Sequence, residues 1–323
     1  MKEEAKVLSY WGHRGDLSRC GKNSWLIKKG REKYRLLRRD AGDGFAMSEA
    51  AVRCYLADRG FSYQPRLCLG EDGAVARRDN SEYLSEHWSG AGRFPFDDGY
   101  HVIEAARVLG EFRNIMMDFD WREHGFPIKE MLHRPRRLEQ MLETGERCQN
   151  SFRHLLPQEE MEDILSRGKR SLSVLSGPLY EKVSGNILRN GGVAYRAIRR
   201  RGLMLHHGEP LLTDFSRLSE DLPVVDLWQL LRRYFSYEGS RGEVIQSAIT
   251  AYEAPCPLAI EEKNILIQLL CFPYVLLRNL ERLEKDKAND RLRRETVHIL
   301  RAEHFHKNFY RELEKEGSYE NCH

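Results

Sequence analysis

The sequence predicts an α+β protein of two lobes, a small mixed lobe over residues 1–88 and a larger, mainly helical lobe over 89–323. Short apolar runs closed by turn residues crowd the first of these segments. A stretch rich in Gly, Pro and Asp, SGAGRFPFDD (89–98), then breaks the pattern. Beyond it, apolar residues recur mostly at helical spacing.

Within the small lobe, SWLIKKGREKYRLLRR (24–39) is two apolar runs around a polar segment with Gly30, a hairpin pattern. MSEAAVRCYLADRGF (47–61) has a helical period, with Gly60 as its stop. YQPRLCLGEDGAVARRDNSEYLSEHW (63–88) reads as two or three strands turning at Glu71-Asp72-Gly73. The expected order is strand, strand, helix, strand, strand.

In the large lobe, residues 100–117 are helical, and 128–183 are helical with a break near Leu155–Gln158. GVAYRAIRRRGLMLHHGEPLLTDF (192–215) returns to short strands, with HHGEP (206–210) as a turn. From Asp226 onward the pattern is helical again, interrupted at APCPLA (254–259).

Composition excludes several classes. The chain has 323 residues, 41% hydrophobic and 10% aromatic, enough for a packed core; charged residues are 31% and the net charge is +3. That balance argues against a dedicated nucleic-acid binder. Seven scattered cysteines without a CxxC pair fit a reducing compartment and offer no zinc framework; Cys256 and Cys271 read as buried or incidental thiols. The start, MKEEAKVLSYW, has no apolar core of a signal peptide. The longest apolar run, ILIQLLCFPYVLL (265–277), is broken by Gln268 and Pro273 and is too short to span a bilayer. The expectation is a cytoplasmic protein.

YLSEHWSGAGRF (83–94), AARVLGEFR (105–113), LLTDFSRLSEDLPVVDLWQLLRR (211–233) and ITAYEAPCPLAIEEKNILIQLLCFPYVLLRNL (249–280) together resemble the CotS family of bacterial spore coat proteins, within the kinase-like superfamily of aminoglycoside phosphotransferases and choline kinases. YLSEHWSGAGRF (83–94) resembles the segment joining the lobes, and AARVLGEFR (105–113) the first helix of the large lobe. LLTDFSRLSEDLPVVDLWQLLRR (211–233) resembles the metal-binding Asp strand, its loop and the helix with a structural Asp. ITAYEAPCPLAIEEKNILIQLLCFPYVLLRNL (249–280) resembles the coat-protein branch in particular. The resemblance implies a two-lobed protein-kinase-like fold. It also implies a coat component made in the mother-cell cytoplasm, deposited on the spore and bound to other coat proteins.

Kinase chemistry needs a cation on the phosphates, Mg²⁺ held by an acid and an amide, and a carboxylate orienting the nucleophile. In the family pattern the carboxylate sits in a His-x-Asp loop followed by an Asn. Here Tyr195 falls at the His, Ala197 at the Asp and Gly202 at the Asn, and no Asp, Glu or Asn lies between Gly191 and His207. The phosphate lysine falls on Leu37 or Arg38, with Glu49 as the helix acid to pair with Arg38. Asp214 remains as the metal acid, and Asp226 caps or anchors a helix. These losses imply a pseudokinase with no required cofactor. The alternative is an active phosphotransferase using ATP and Mg²⁺. Arg196, Arg199, Arg200 and Arg201 stand where an active kinase needs an acid, and are expected to attract an anion or an acidic partner in the cleft between the lobes. His206 and His207 are expected at a turn tip, and His304 and His306 on different helix faces.

Overall fold

A computed structural model describes residues 2–13, 15–40, 45–88, 90–120, 129–148, 158–237, 239–286 and 289–319. Helix α1 (Lys2–Val7) leads into strands β1 (Asp16–Gly21), β2 (Ser24–Lys29) and β3 (Glu32–Asp40), helix α2 (Phe45–Asp58), strands β4 (Val75–Arg78) and β5 (Ser81–His87), and the short β6 (Gly92–Arg93). Helices α3 (Gly99–Met116), α4 (Lys129–Cys148), α5 (Gln158–Leu175) and α6 (Pro178–Asn190) follow. Short strands β7 (Val193–Ala194), β8 (Leu203–His206), β9 (Glu209–Leu212) and β10 (Ser219–Glu220) come next. Helices α7 (Val224–Tyr234), α8 (Gly242–Glu253), α9 (Ile260–Cys271), α10 (Tyr274–Lys285), α11 (Asp290–Phe305) and α12 (Lys307–Tyr319) complete the chain.

The chain packs as two compact units. One joins Met1–Phe94 with Glu111–Pro127 and Tyr195–Ser219; the other joins Pro95–Gly110, Ile128–Ala194 and Glu220–His323. The loop and hairpin over 195–219, which chain position alone puts in the large lobe, thus pack with the small sheet.

The first unit is built on a five-stranded antiparallel sheet in the order β1-β2-β3-β5-β4. Strand alternation sorts its side chains onto two faces. Trp25, Ile27, Tyr34, Leu36 and Tyr83 pack with Val7 and Leu8 at the chain start. Leu37 and Leu84 pack with Ala46 and Ala50 of α2. Burying side chains such as Leu36 and Leu84, both 0% exposed, is worth about 1.5–3 kcal/mol each. Neither α1 nor β1 is among the elements the sequence predicts. The first is too short to show a period, and the second, DLSRCG, buries no residue and so carries no apolar alternation.

The turn expected at Glu71-Asp72-Gly73 corresponds to a bridge between Gly70 and Gly73. The β4–β5 hairpin itself turns one step later, at Asp79-Asn80, with φ of 47° and 59°. Those angles are the left-handed pair a two-residue hairpin turn needs, and Asn and Asp tolerate them. The same geometry recurs between β8 and β9, where His207 has φ 51° and Gly208 φ 87°.

In the second unit the expected helix over 128–183 is three helices, with Ser176-Gly177 separating α5 from α6. The break expected near Leu155–Gln158 lies mostly outside the described residues. The long apolar pair resolves into α9 and α10, parted at Phe272-Pro273 because proline cannot continue the ladder of α9. Among the described residues no helix is long and apolar enough to cross a membrane.

Candidate functional site

The site grows from one face of β3. Arg35, Leu37 and Arg39 are two residues apart, so all three point the same way, and all three line a cavity of about 600 Å³ in the first unit. Arg39 makes a forked pair with Glu49 of α2, its Nε 2.8 Å from Oε2 and its Nη2 3.1 Å from Oε1. This corrects the expectation that Arg38 is the partner of Glu49. Arg38 falls on the opposite face of the strand, within electrostatic range of Glu4. Burial works against the charge of Arg39, but the Glu49 carboxylate and its hydrogen bonds more than offset this and raise its pKa.

The pair belongs to a longer ladder. Glu49 also meets Arg53 at 3.6 Å, one helical turn on. Arg53 donates to Glu86 of β5 at 2.7 Å and to the Pro65 carbonyl at 2.5 Å. Glu86 accepts from Arg35 Nε at 2.5 Å, and Arg35 Nη2 donates to the Thr213 carbonyl at 2.6 Å. Buried charges persist when each is paired and hydrogen-bonded, and Glu49, Arg53 and Glu86 are all at most 2% exposed. The ladder fixes Arg39 and Arg35 on the sheet and ties the sheet to the residue before Asp214. Arg35, Arg53 and Glu86 are not among the candidate residues that the sequence offers. The Glu49–Arg53 spacing was a legible signal; the cross-strand pairing was not.

Asp214 follows β9 and opens a single turn of 3-10 helix, Phe215–Arg217. Its Oδ1 accepts from Ser216 Oγ at 2.5 Å and from the Ser216 amide at 3.2 Å. Its Oδ2 accepts from Arg199 Nη2. Burial pushes the carboxyl up, but the bonds from Ser216 and Arg199 and the nearby charge of Arg39 win, so its pKa lies below the usual carboxylate range.

Between Tyr195 and Gly202 the loop closes on itself. The buried Tyr195 hydroxyl donates to the Gly202 carbonyl at 2.5 Å and accepts from the Asp214 amide at 2.9 Å. Ala197 is fully buried. A Cβ at position 202 would sit 1.9 Å from the Ala197 carbonyl oxygen, so an amide side chain has no room there unless the loop moves. Thr213 seals the other side, its hydroxyl donating to the Arg201 carbonyl at 2.7 Å.

These residues do not fit a bound Mg²⁺. A hard cation wants several oxygen donors. Among the described residues Asp214 is the one acid lining the cavity, and both its oxygens are engaged. Among the described residues no cluster of three His, Cys, Asp or Glu could hold a metal ion.

Of the four arginines read from the sequence, Arg199, Arg200 and Arg201 line the cavity. Arg196 does not; it adopts a left-handed backbone, φ 63°, which turns the chain away between Tyr195 and Ala197. Lys22, in the β1–β2 turn, and Arg217 join them, and neither stood out in the sequence. Asp226 is buried in the first turn of α7, but the residue at the cap is Pro223 and no side chain caps that end. Asp226, expected to cap or anchor the helix, does not make the cap; it is a buried acid of the first turn, where the helix dipole favours its charge. His206 is half-buried at the β8 end, its Nδ1 2.9 Å from the Gly90 carbonyl oxygen. His304 meets Glu160 at 3.1 Å on an exposed face, whereas His306 is buried against Ser240.

The architecture defines a class: the chain has the kinase-like fold of the aminoglycoside phosphotransferases. An aminoglycoside phosphotransferase from Alicyclobacillus acidocaldarius superposes with a TM-score of 0.80 at 17% identity, covering 97% of this chain and 96% of that one. A microcompartment-associated aminopropanol kinase gives 0.60 at 15% identity, covering 98% of each. Amicoumacin kinase hAmiN gives 0.58 at 11% identity, covering 95% and 92%. In sequence, the chain is similar to Spore coat protein S of Bacillus subtilis (strain 168), with 28% identity over 113 residues. That match takes in 35% of this chain and spans about a third, 32%, of the coat protein's length. No family model matches the chain.

Proposed function

We propose that this chain is a spore coat protein with a kinase-like fold, that it transfers no phosphoryl group, and that it acts in coat assembly by binding other coat proteins. In this reading it is made in the mother cell and deposited on the coat. The observation that carries the loss of transfer is the Arg199–Asp214 pair. A guanidinium occupies the carboxylate that Mg²⁺ would use, and no acid stands in the 195–202 loop to orient a nucleophile. The spore coat half rests on the likeness to Spore coat protein S.

One observation favours a second reading. The Arg39–Glu49 pair keeps a strand cation and a helix acid together, as an active kinase requires of its lysine and glutamate. An ATP-dependent phosphotransferase acting on a small molecule or coat protein is therefore the alternative. The test is incubation with labelled ATP and Mg²⁺ or Mn²⁺, with coat-protein and aminoglycoside acceptors. The expected result is no transfer above background. Transfer that Asp214→Ala abolishes would overturn the proposal. Loss of the protein from purified coats of spores lacking other coat proteins would support the binding half; unchanged coat incorporation in every such strain would count against it.

A further inference from the structure

We infer that a second cavity of the first unit receives an extended segment of a partner protein, which adds itself to the sheet edge at Leu67 and sets an apolar side chain between that edge and α2. Beyond β4, strand β5 goes on to pair with residues 66–68. The Cys68 amide donates to the Ser85 carbonyl at 2.8 Å and the His87 amide to the Arg66 carbonyl at 2.8 Å, on either side of an antiparallel bridge between Leu67 and Glu86. In such a ladder the residue between the two bonds turns its own N–H and C=O the other way. Those of Leu67 therefore face outward, and among the described residues nothing bonds to them. Leu69, two residues on, has no backbone bond among them either. A free donor and acceptor in strand geometry are matched by another extended backbone.

The cavity borders that edge. It has about 560 Å³ and is lined by Cys54 and Ala57 of α2 and by Phe61, Leu67 and Leu69 of the stretch that follows. Leu69 is 69% exposed, so an apolar side chain entering here finds a large uncovered one to pack against. The wall also holds polar atoms without partners. Gln64, 9% exposed, donates from Nε2 to the Arg53 carbonyl at 2.9 Å, which leaves its Oε1 buried and unbonded, and Arg53 Nε is unbonded too. An amide brings both the N–H and the C=O that these two atoms lack. At the rim, Asp58 and Arg66 are exposed and form no ion pair among the described residues. A segment with a basic residue toward Asp58 and an acidic one toward Arg66 matches the site in charge as well. The inference rests on the reading that this chain acts by binding other proteins, and gives that reading a place on the molecule. The two fail separately: coat incorporation decides the one, and peptide binding at Leu67 decides the other.

The test selects short random peptides, displayed on phage, against the full chain. The most enriched peptide is then synthesised, and its affinity is measured by fluorescence anisotropy. Apolar residues at alternate positions, saturable binding, and slowed hydrogen exchange of the Leu67 amide in the complex are expected. Ala57→Arg lays a charged side chain across the cavity and should weaken binding roughly tenfold or more. It should melt close to wild type, because Ala57 is exposed in the last turn of α2. Should it fail to fold, Leu69→Gln replaces it, with an expected loss of about threefold. No peptide that binds saturably, apolar residues at helical spacing, unchanged exchange at Leu67, or an affinity unchanged in the variant would each overturn the proposal. So would self-association of the chain that Ala57→Arg abolishes, since the occupant would then be a second copy.

Discussion

Asp214 and Asp221 lie seven residues apart, and each accepts a hydrogen bond from an arginine. In the first unit the Arg199 side chain is 42% exposed and that of Asp214 17%. In the second, the values for Arg134 and Asp221 are 7% and 0%, and Arg134 Nη2 lies 2.5 Å from the carboxylate. Arg134 also donates to the Tyr180 hydroxyl at 2.9 Å, and that hydroxyl donates to the Met131 carbonyl at 2.9 Å. Asp221 Oδ1 accepts from the Leu222 amide at 2.8 Å. The same two residue types thus make a closed, fully bonded strut in one unit and the rim of a cationic hollow in the other. Burial and the supply of further partners decide which, because a buried charge must have every bonding position filled while an exposed one can exchange partners.

The largest effect should come from breaking the closed pair. Asp221→Ala leaves the Arg134 guanidinium buried without its carboxylate, and such losses cost about 3–5 kcal/mol. Urea unfolding should show a large drop in midpoint; a midpoint within error of wild type would erase the contrast between the two pairs. The next effect concerns His306, also in the second unit. Its ring nitrogen lies 2.5 Å from Ser240 Oγ, and burial pushes its pKa down to about 4. A folded value below the unfolded one means a stabilisation present above about pH 6.5 and lost as pH falls toward 4. The interval corresponds to an upper limit of about 3 kcal/mol. His13, in the first unit, is also lowered by burial, so the test is a difference. His306→Phe should flatten the fall of melting temperature between pH 7 and 4.5, and an unchanged slope would assign the acid sensitivity elsewhere.

The unequal legibility of these regions has physical causes. Helices α3 and α10 bury one face at helical spacing, while α7 and α9 bury nearly every residue of an apolar run, and both patterns are visible in the chain. The hairpin before Asp214 was visible because His207-Gly208 must adopt left-handed angles. The loss of acid from the 195–202 loop needed only the residue types. What the sequence hid was pairing across distance. Arg39 rather than Arg38 meets Glu49 because β3 presents alternate residues, and a reading off by one residue flips the face. Arg134, 87 residues from Asp221, gave no local sign of its partner. Lys22 and Arg217 looked like ordinary surface charges until the fold gathered them around one hollow.

The smallest expected effect on stability is also the sharpest test of the open pair. Asp214→Asn removes the charge that Arg199 meets but keeps an oxygen able to accept from Ser216. Exposed pairs are worth roughly 0–1 kcal/mol, and the Arg199 side chain is 42% exposed, so the unfolding midpoint should move little. The binding of phosphate ligands should move the other way. Among the described residues Asp214 is the one acid that lines the cavity, so its loss leaves Arg199 without a carboxylate beside Lys22, Arg200, Arg201 and Arg217, and tripolyphosphate affinity should rise. Acid does the same to the wild type: the lowered pKa of Asp214 keeps its charge until pH falls below the ordinary carboxylate range, and the small stabilisation from that charge is lost as pH falls through its folded value. Calorimetry of the two proteins at pH 7 and low salt makes the comparison, since salt screens the difference. Weaker tripolyphosphate binding by the Asp214→Asn variant would mean that the carboxylate organises the site rather than opposing its ligand, and the contrast with Asp221 would then lie in exposure alone.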